Sequence, residues 1–125
     1  MLSASHRVLR PGGRLAFHVI EPTPGLARPA RRRAHRVGPE AVAVSTSYEN
    51  LLRSAGFVDI SVTELTSEYA FTLGRWIEAS EQRESAIREV VGSDVFEERA
   101  TSRLERLRAI EDGILARTQY AATRP

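Results

Sequence analysis

The sequence predicts an α/β fold: three strands in one sheet of mixed direction, with helices between them. Three observations predict it. Residues 14–20 are a short, mostly apolar run directly after a Pro-Gly-Gly turn, which suits a strand covered on both faces. Residues 57–65 alternate, with Val58, Ile60 and Val62 pointing one way and Asp59, Ser61 and Thr63 the other. Around these runs, apolar residues recur at helical spacing. A length of 125 residues allows one domain and not comfortably two.

In order along the chain, residues 2–10 are the first helix. Leu2 and Leu9 share a face, and Pro11 ends the helix by pushing Arg10 out of the α region. Gly12-Gly13 then supplies a sharp turn into the first strand. Residues 21–44 lack periodicity; four prolines and two glycines break them into loop, with a short helix at 39–44. Thr46 and Glu49 have capping-box spacing. Tyr48, Leu51, Leu52 and Ala55 follow at i, i+3, i+4 and i+7, and Gly56 ends that helix in a left-handed conformation. Beyond the second strand, Leu73, Trp76, Ile77, Ser80, Ile87 and Val91 keep one helical face up to Gly92. A second helix carries Phe96, Ala100, Leu104, Leu107 and Ile110 up to Gly113. Residues 114–123 read as a third strand, because the glycine interrupts the helix and Thr118, Tyr120 and Thr123 favour extended backbone.

The composition, 42% hydrophobic and 27% charged, is that of a soluble globular protein. No apolar run approaches the roughly 18 residues a membrane span needs, and no secretory signal is visible, so no membrane partner is expected. Cysteine is absent, which excludes disulfides and thiolate metal sites and fits a reducing, cytoplasmic location. His6 and His35 lie far apart with no carboxylate at ligand spacing, so no metal site is expected. All 18 basic residues are arginine, a bias that reads as the codon composition of a GC-rich genome.

A helix, then RVLRPGGRLAF, a variable loop, a helix ending LLRSAGF, the strand VDISVTEL, and Arg124-Pro125 at the close: this order resembles the C-terminal half of a class I S-adenosylmethionine-dependent methyltransferase. The resemblance implies a Rossmann-like half-sheet with a two-helix insertion at about 68–112, the whole of 1–125 being a single partial methyltransferase domain. It implies that the last strand lies antiparallel between the other two. It implies S-adenosylmethionine as cofactor and a small molecule as methyl acceptor. The glycine-rich loop that lies against the cofactor in that family has no counterpart here, since these glycines precede a strand instead of joining a strand to a helix. The expectation is an acceptor-side half, doubtful as a cofactor binder and inactive without the N-terminal half. A complementary N-terminal chain or self-association through the open sheet edge is the expected protein partner.

Methyl transfer needs alignment of donor and acceptor, exclusion of water and sometimes a base. In the resembling family the acceptor sits beyond the C-terminal ends of the strands. His18 and Glu21 fall there and are the candidate catalytic residues; the ordinary alternative is a packed strand histidine and a solvated glutamate. Tyr69, Phe71 and Trp76 follow the second strand and are candidate substrate-binding residues; the alternative is helix packing. Arg28, Arg31, Arg32, Arg33 and Arg36 form an arginine loop at 28–36, which carries the rival reading of a non-catalytic basic module for nucleic acid or another anionic partner. No aromatics interleave the arginines, so nucleic acid is not the expected partner. The third reading is an inactive gene fragment.

Overall fold

The structure is a computed structural model and describes residues 1–38 and 46–125. The elements run α1 (Leu2–Val8), β1 (Arg14–Pro22), α2 (Arg28–Val37), α3 (Tyr48–Ser54), β2 (Val58–Glu64), α4 (Thr66–Gln82), α5 (Glu84–Val91), α6 (Ser93–Glu111) and β3 (Leu115–Thr123). The sheet order is β1-β3-β2. The chain's last strand therefore lies in the middle, antiparallel to both neighbours, while β1 and β2 point the same way without touching. The predicted position of 114–123 is the observed one. The continuous ladder from Arg14↔Thr123 to Pro22↔Leu115 explains why: nine residues of β1 find partners in one unbroken register.

Parity along the strands sends side chains to two faces, each covered by helices. On one face Phe17, Tyr120 and Ala122 pack with Leu52 and Phe57, and with Leu2, Leu9 and Tyr48 beside them. On the other, Leu115 and Ile20 pack with Ala34, Tyr69, Leu73, Ala109 and Ile110. The result is a sheet between two helical layers, α1 and α3 on one side and α2, α4 and α6 on the other.

The turn before β1 is tied to the far end of the chain. Gly12 takes φ +78°, and a Cβ on Gly13 would stand 2.7 Å from the Arg10 carbonyl oxygen. The Gly12 N–H donates to the Arg124 carbonyl and the Arg124 N–H to the Gly13 carbonyl, each at 2.8 Å. The Arg124 guanidinium donates to the carbonyls of Arg7 and Leu9, which a helix end leaves without internal partners.

Four expectations need correction. The arginine loop at 28–36 is helix α2. Pro29 lies in its first turn, where no helical N–H is required, and Ala30, Ala34 and Val37 form an inward stripe at i, i+4 and i+7. The cap of α3 is Ser47, whose hydroxyl accepts from the Asn50 N–H at 3.2 Å; Thr46 accepts from the Asn50 side-chain amide instead. The first of the two expected helical runs of the insertion is divided at Arg83 into α4 and α5. The apolar face of β2 is not dry: Val58 is 43% and Val62 47% exposed, and only Ile60 packs on the core. Asp59, at φ +50°, lies in a register shift between Val58 and Ser61, which interrupts the regular alternation of this strand while Val58 stays paired with Thr123. The helix expected at 39–44 lies outside the described residues.

Candidate functional site

His18 and Glu21 differ by an odd number of residues on β1, so their side chains leave opposite faces of the sheet. Each is held in place. On one face, His18 lies opposite Gln119 in the ladder, and its Nε2 is 2.8 Å from the Gln119 Oε1. Its Nδ1 is 3.0 Å from Nη2 of Arg117. A guanidinium can only donate, so Nδ1 accepts and Nε2 carries the ring proton that is donated to Gln119.

On the other face, Glu21 accepts a hydrogen bond from the Tyr120 hydroxyl at 2.9 Å. Burial first, and then this bond to a carboxylate, pushes the Tyr120 phenol well above its ordinary range. Glu21 borders an open hollow of about 510 Å³, with Tyr48, Glu49, Glu64, Thr118 and Tyr120 on its walls.

The His18 face carries the more chemically varied cleft, an open space of about 420 Å³ lined by His18, Val19, Ile20, Tyr48, Tyr69, Trp76 and Arg117. Tyr48 borders this cleft and the Glu21 hollow alike. Tyr69 is buried in the first turn of α4, with Arg106 Nη1 reaching its hydroxyl at 3.5 Å. The Arg117 guanidinium lies over the Tyr69 ring, 4.9 Å from the centroid. The start of α4 clamps the backbone of Arg117: its N–H donates to the Thr66 hydroxyl at 3.1 Å, and its carbonyl accepts from the Leu65 N–H at 2.8 Å.

Of the residues singled out in the sequence, His18, Tyr69 and Trp76 are brought to one cleft, with Trp76 58% exposed at its rim. Glu21 stands on the far face. Phe71 does not line the cleft and is 73% exposed. Arg117 and Tyr48 escaped the sequence reading. Strand parity was the available signal for Arg117: once β3 is paired with β1, residues 117 and 119 must share the face of His18. Nothing local marked Tyr48. On α2, Arg28, Arg31, Arg32 and His35 face an open hollow, while Arg33 turns back to pair with Asp112 at 2.6 Å. Among the described residues no group of three His, Asp or Glu is placed to hold a metal, and no helix is long and apolar enough to cross a membrane.

No family model matches the sequence, and no curated protein matches it significantly. Solved structures do. The chain superposes on the Haemonchus contortus phosphoethanolamine N-methyltransferase 2 in complex with S-adenosyl-L-methionine with TM-score 0.81 and 20% identity, over 99% of this chain and 29% of that one. A structure of the same enzyme with phosphomonomethylethanolamine and S-adenosylhomocysteine gives 0.80 and 21%, again over 99% and 29%. The cyclopropane synthase MmaA2 from Mycobacterium tuberculosis gives 0.76 and 19%, over 98% of this chain and 48% of that one. The fold is that of a partial class I S-adenosylmethionine-dependent methyltransferase. The chain spans less than half the length of each of these methyltransferases. Within the methyltransferase fold the cofactor is gripped at a glycine-rich turn from strand to helix. Among the described residues no strand-to-helix turn has more than one glycine, Gly25 between β1 and α2.

Proposed function

We propose that this chain is the acceptor-side part of an S-adenosylmethionine-dependent methyltransferase acting on a small molecule, and that it needs a complementary cofactor-binding part to turn over. The observation that carries the reading is the superposition of 98–99% of the chain on S-adenosylmethionine-dependent methyltransferases at TM-scores of 0.76–0.81. Residues 1–125 then form one partial domain, and α4 to α6 form the cover over the acceptor. A cytoplasmic location agrees with the absence of cysteine.

In this reading the sulfonium supplies an electrophilic methyl group, and this chain aligns the nucleophile with it. Tyr69 and Trp76 wall the acceptor and exclude water, with Tyr48 opposite. His18 faces the acceptor with a fixed ring. It can take a proton on Nδ1 only when Arg117 releases that atom, so as a base it works in step with Arg117. Glu21 serves an acceptor that reaches across the strand end into the second hollow. Phe71 belongs to the acceptor site only if the complementary part folds over the outer side of α4.

Titration calorimetry of S-adenosylmethionine into the 125 residues tests the division of labour. No measurable binding is expected, and micromolar binding by this chain alone would falsify it. Labelled methyl transfer by these residues joined to a glycine-rich strand-loop-helix half tests the transferase itself.

A second reading has its own observation: the exposed side of α2 gathers Arg28, Arg31, Arg32 and His35 on one surface. A basic module for an anionic partner would be retained on heparin, and the retention would vanish in the Arg31→Ala/Arg32→Ala double variant.

A further inference from the structure

The His18 cleft has one formally charged lining residue, Arg117, and no carboxylate. Among the described residues Arg117 has no acidic partner within ion-pair distance. Its guanidinium has five N–H donors, and one nitrogen is committed to His18. A half-buried cation with unused donors, facing a concave space, is a position that an anion completes.

Its placement over Tyr69 decides between ligand charges. An aromatic cleft is an ordinary receptor for ammonium groups, because the ring face is electron-rich. Here the chain's own guanidinium already occupies that face of Tyr69, and a ligand cation brought alongside would meet a like charge. Trp76 and Ile20 leave apolar wall free for a hydrocarbon or aromatic body. The Thr66 and Leu65 hydrogen bonds to the Arg117 backbone keep the guanidinium from swinging out to solvent with a mobile strand.

We propose that this cleft selects an acceptor carrying its own negative charge, a carboxylate or phosphate attached to an apolar or aromatic body, with Arg117 as the residue that sets the charge preference. This rests on the reading of the cleft as the acceptor site.

Trp76 is the single tryptophan of the chain, so its fluorescence reports occupancy of this cleft directly. The 125-residue protein is titrated with phenylacetate, phenyl phosphate and phenethylamine. Saturable changes with the two anions are expected, with the amine at least about tenfold weaker. In Arg117→Gln the anions should fall to the level of the amine, and Arg117→Lys should keep part of the preference. Equal binding of anion and amine, no binding of any probe, or an unchanged preference in folded Arg117→Gln would each overturn the inference. Circular dichroism checks folding, and the wild-type preference stands as a test if Arg117→Gln does not fold. The titration needs neither cofactor nor turnover. An anion preference without methyl transfer in the completed enzyme sinks the catalytic reading alone. Methyl transfer without an anion preference sinks the charge assignment alone.

Discussion

Tyr120 hydrogen-bonds Glu21 across the end of β1 while its ring stacks on Phe17, with centroids 5.5 Å apart. The phenol is held protonated above its ordinary value of 10.0 in the folded chain. The unfolded chain releases that proton first, so it binds fewer protons than the native state and stability falls as pH rises beyond about 10. Urea unfolding between neutral and strongly alkaline pH should show this fall. Tyr120→Phe should be about 1–2 kcal/mol less stable at neutral pH, from the lost hydrogen bond to a carboxylate, and should show a shallower alkaline decline. An unchanged decline would overturn the assignment to Tyr120. At this scale the sequence was partly legible. His18, Tyr69 and Trp76 were singled out because the family resemblance directs attention to the end of β1 and to the helices after β2, and the fold brings the three to one cleft. Arg117 was missed because an arginine in a strand looks like solvent-facing filler until pairing assigns its face.

Two elements show what local pattern can and cannot reveal. The third strand was readable because Gly113 stops a helical stripe and β-favouring residues follow. Helix α2 was not, because Pro22, Pro24, Gly25 and Pro29 all read as breakers and its inward stripe is mostly alanine. Pro29 breaks nothing in a first turn, a fact that emerges only once the helix start is known. The turn between α1 and β1 gives a sharper prediction. Gly12→Ala forces a side chain into the left-handed region in open space, and should cost about 1–2 kcal/mol. Gly13→Ala instead drives a Cβ against the Arg10 carbonyl and the Leu9 side chain, so it should also loosen the Arg124 clasp. Thermal melts read both, and an amide protection loss at Arg124 confined to Gly13→Ala separates strain from clash. In the layer beyond, Leu73 is fully buried in α4, and Leu73→Ala should cost about 2–5 kcal/mol by denaturant unfolding.

The whole molecule is a sheet with two edges of different kinds. The β2 edge is bent by the shift at Asp59, which discourages a further strand. The β1 edge runs nine residues in regular register and, among the described residues, pairs only on its β3 side. Sedimentation should therefore show self-association of the isolated chain that rises with concentration and is suppressed by Ala16→Pro, which removes an N–H from the side of β1 that faces away from β3. A monomer at high concentration would refute it. Strand order and the covered faces were legible here, from element order and the family resemblance together, because both hydrophobic patterns and the closing Arg-Pro agree. The exposed apolar face of β2 was not, since alternation tells which residues share a side but not whether anything covers it. The central position of β3 also orders events in time. β1 and β2 are not neighbours in the sheet, so within residues 1–125 neither has a described ladder partner before residues 115–123 have been made. At about 5–20 residues per second of synthesis, the backbone of β1 waits roughly 5–20 s for β3. Helices close locally in the meantime. The sheet is thus born last and in one step, and ribosome-bound chains halted at Gly113 should be helical, without strands and open to proteolysis throughout β1.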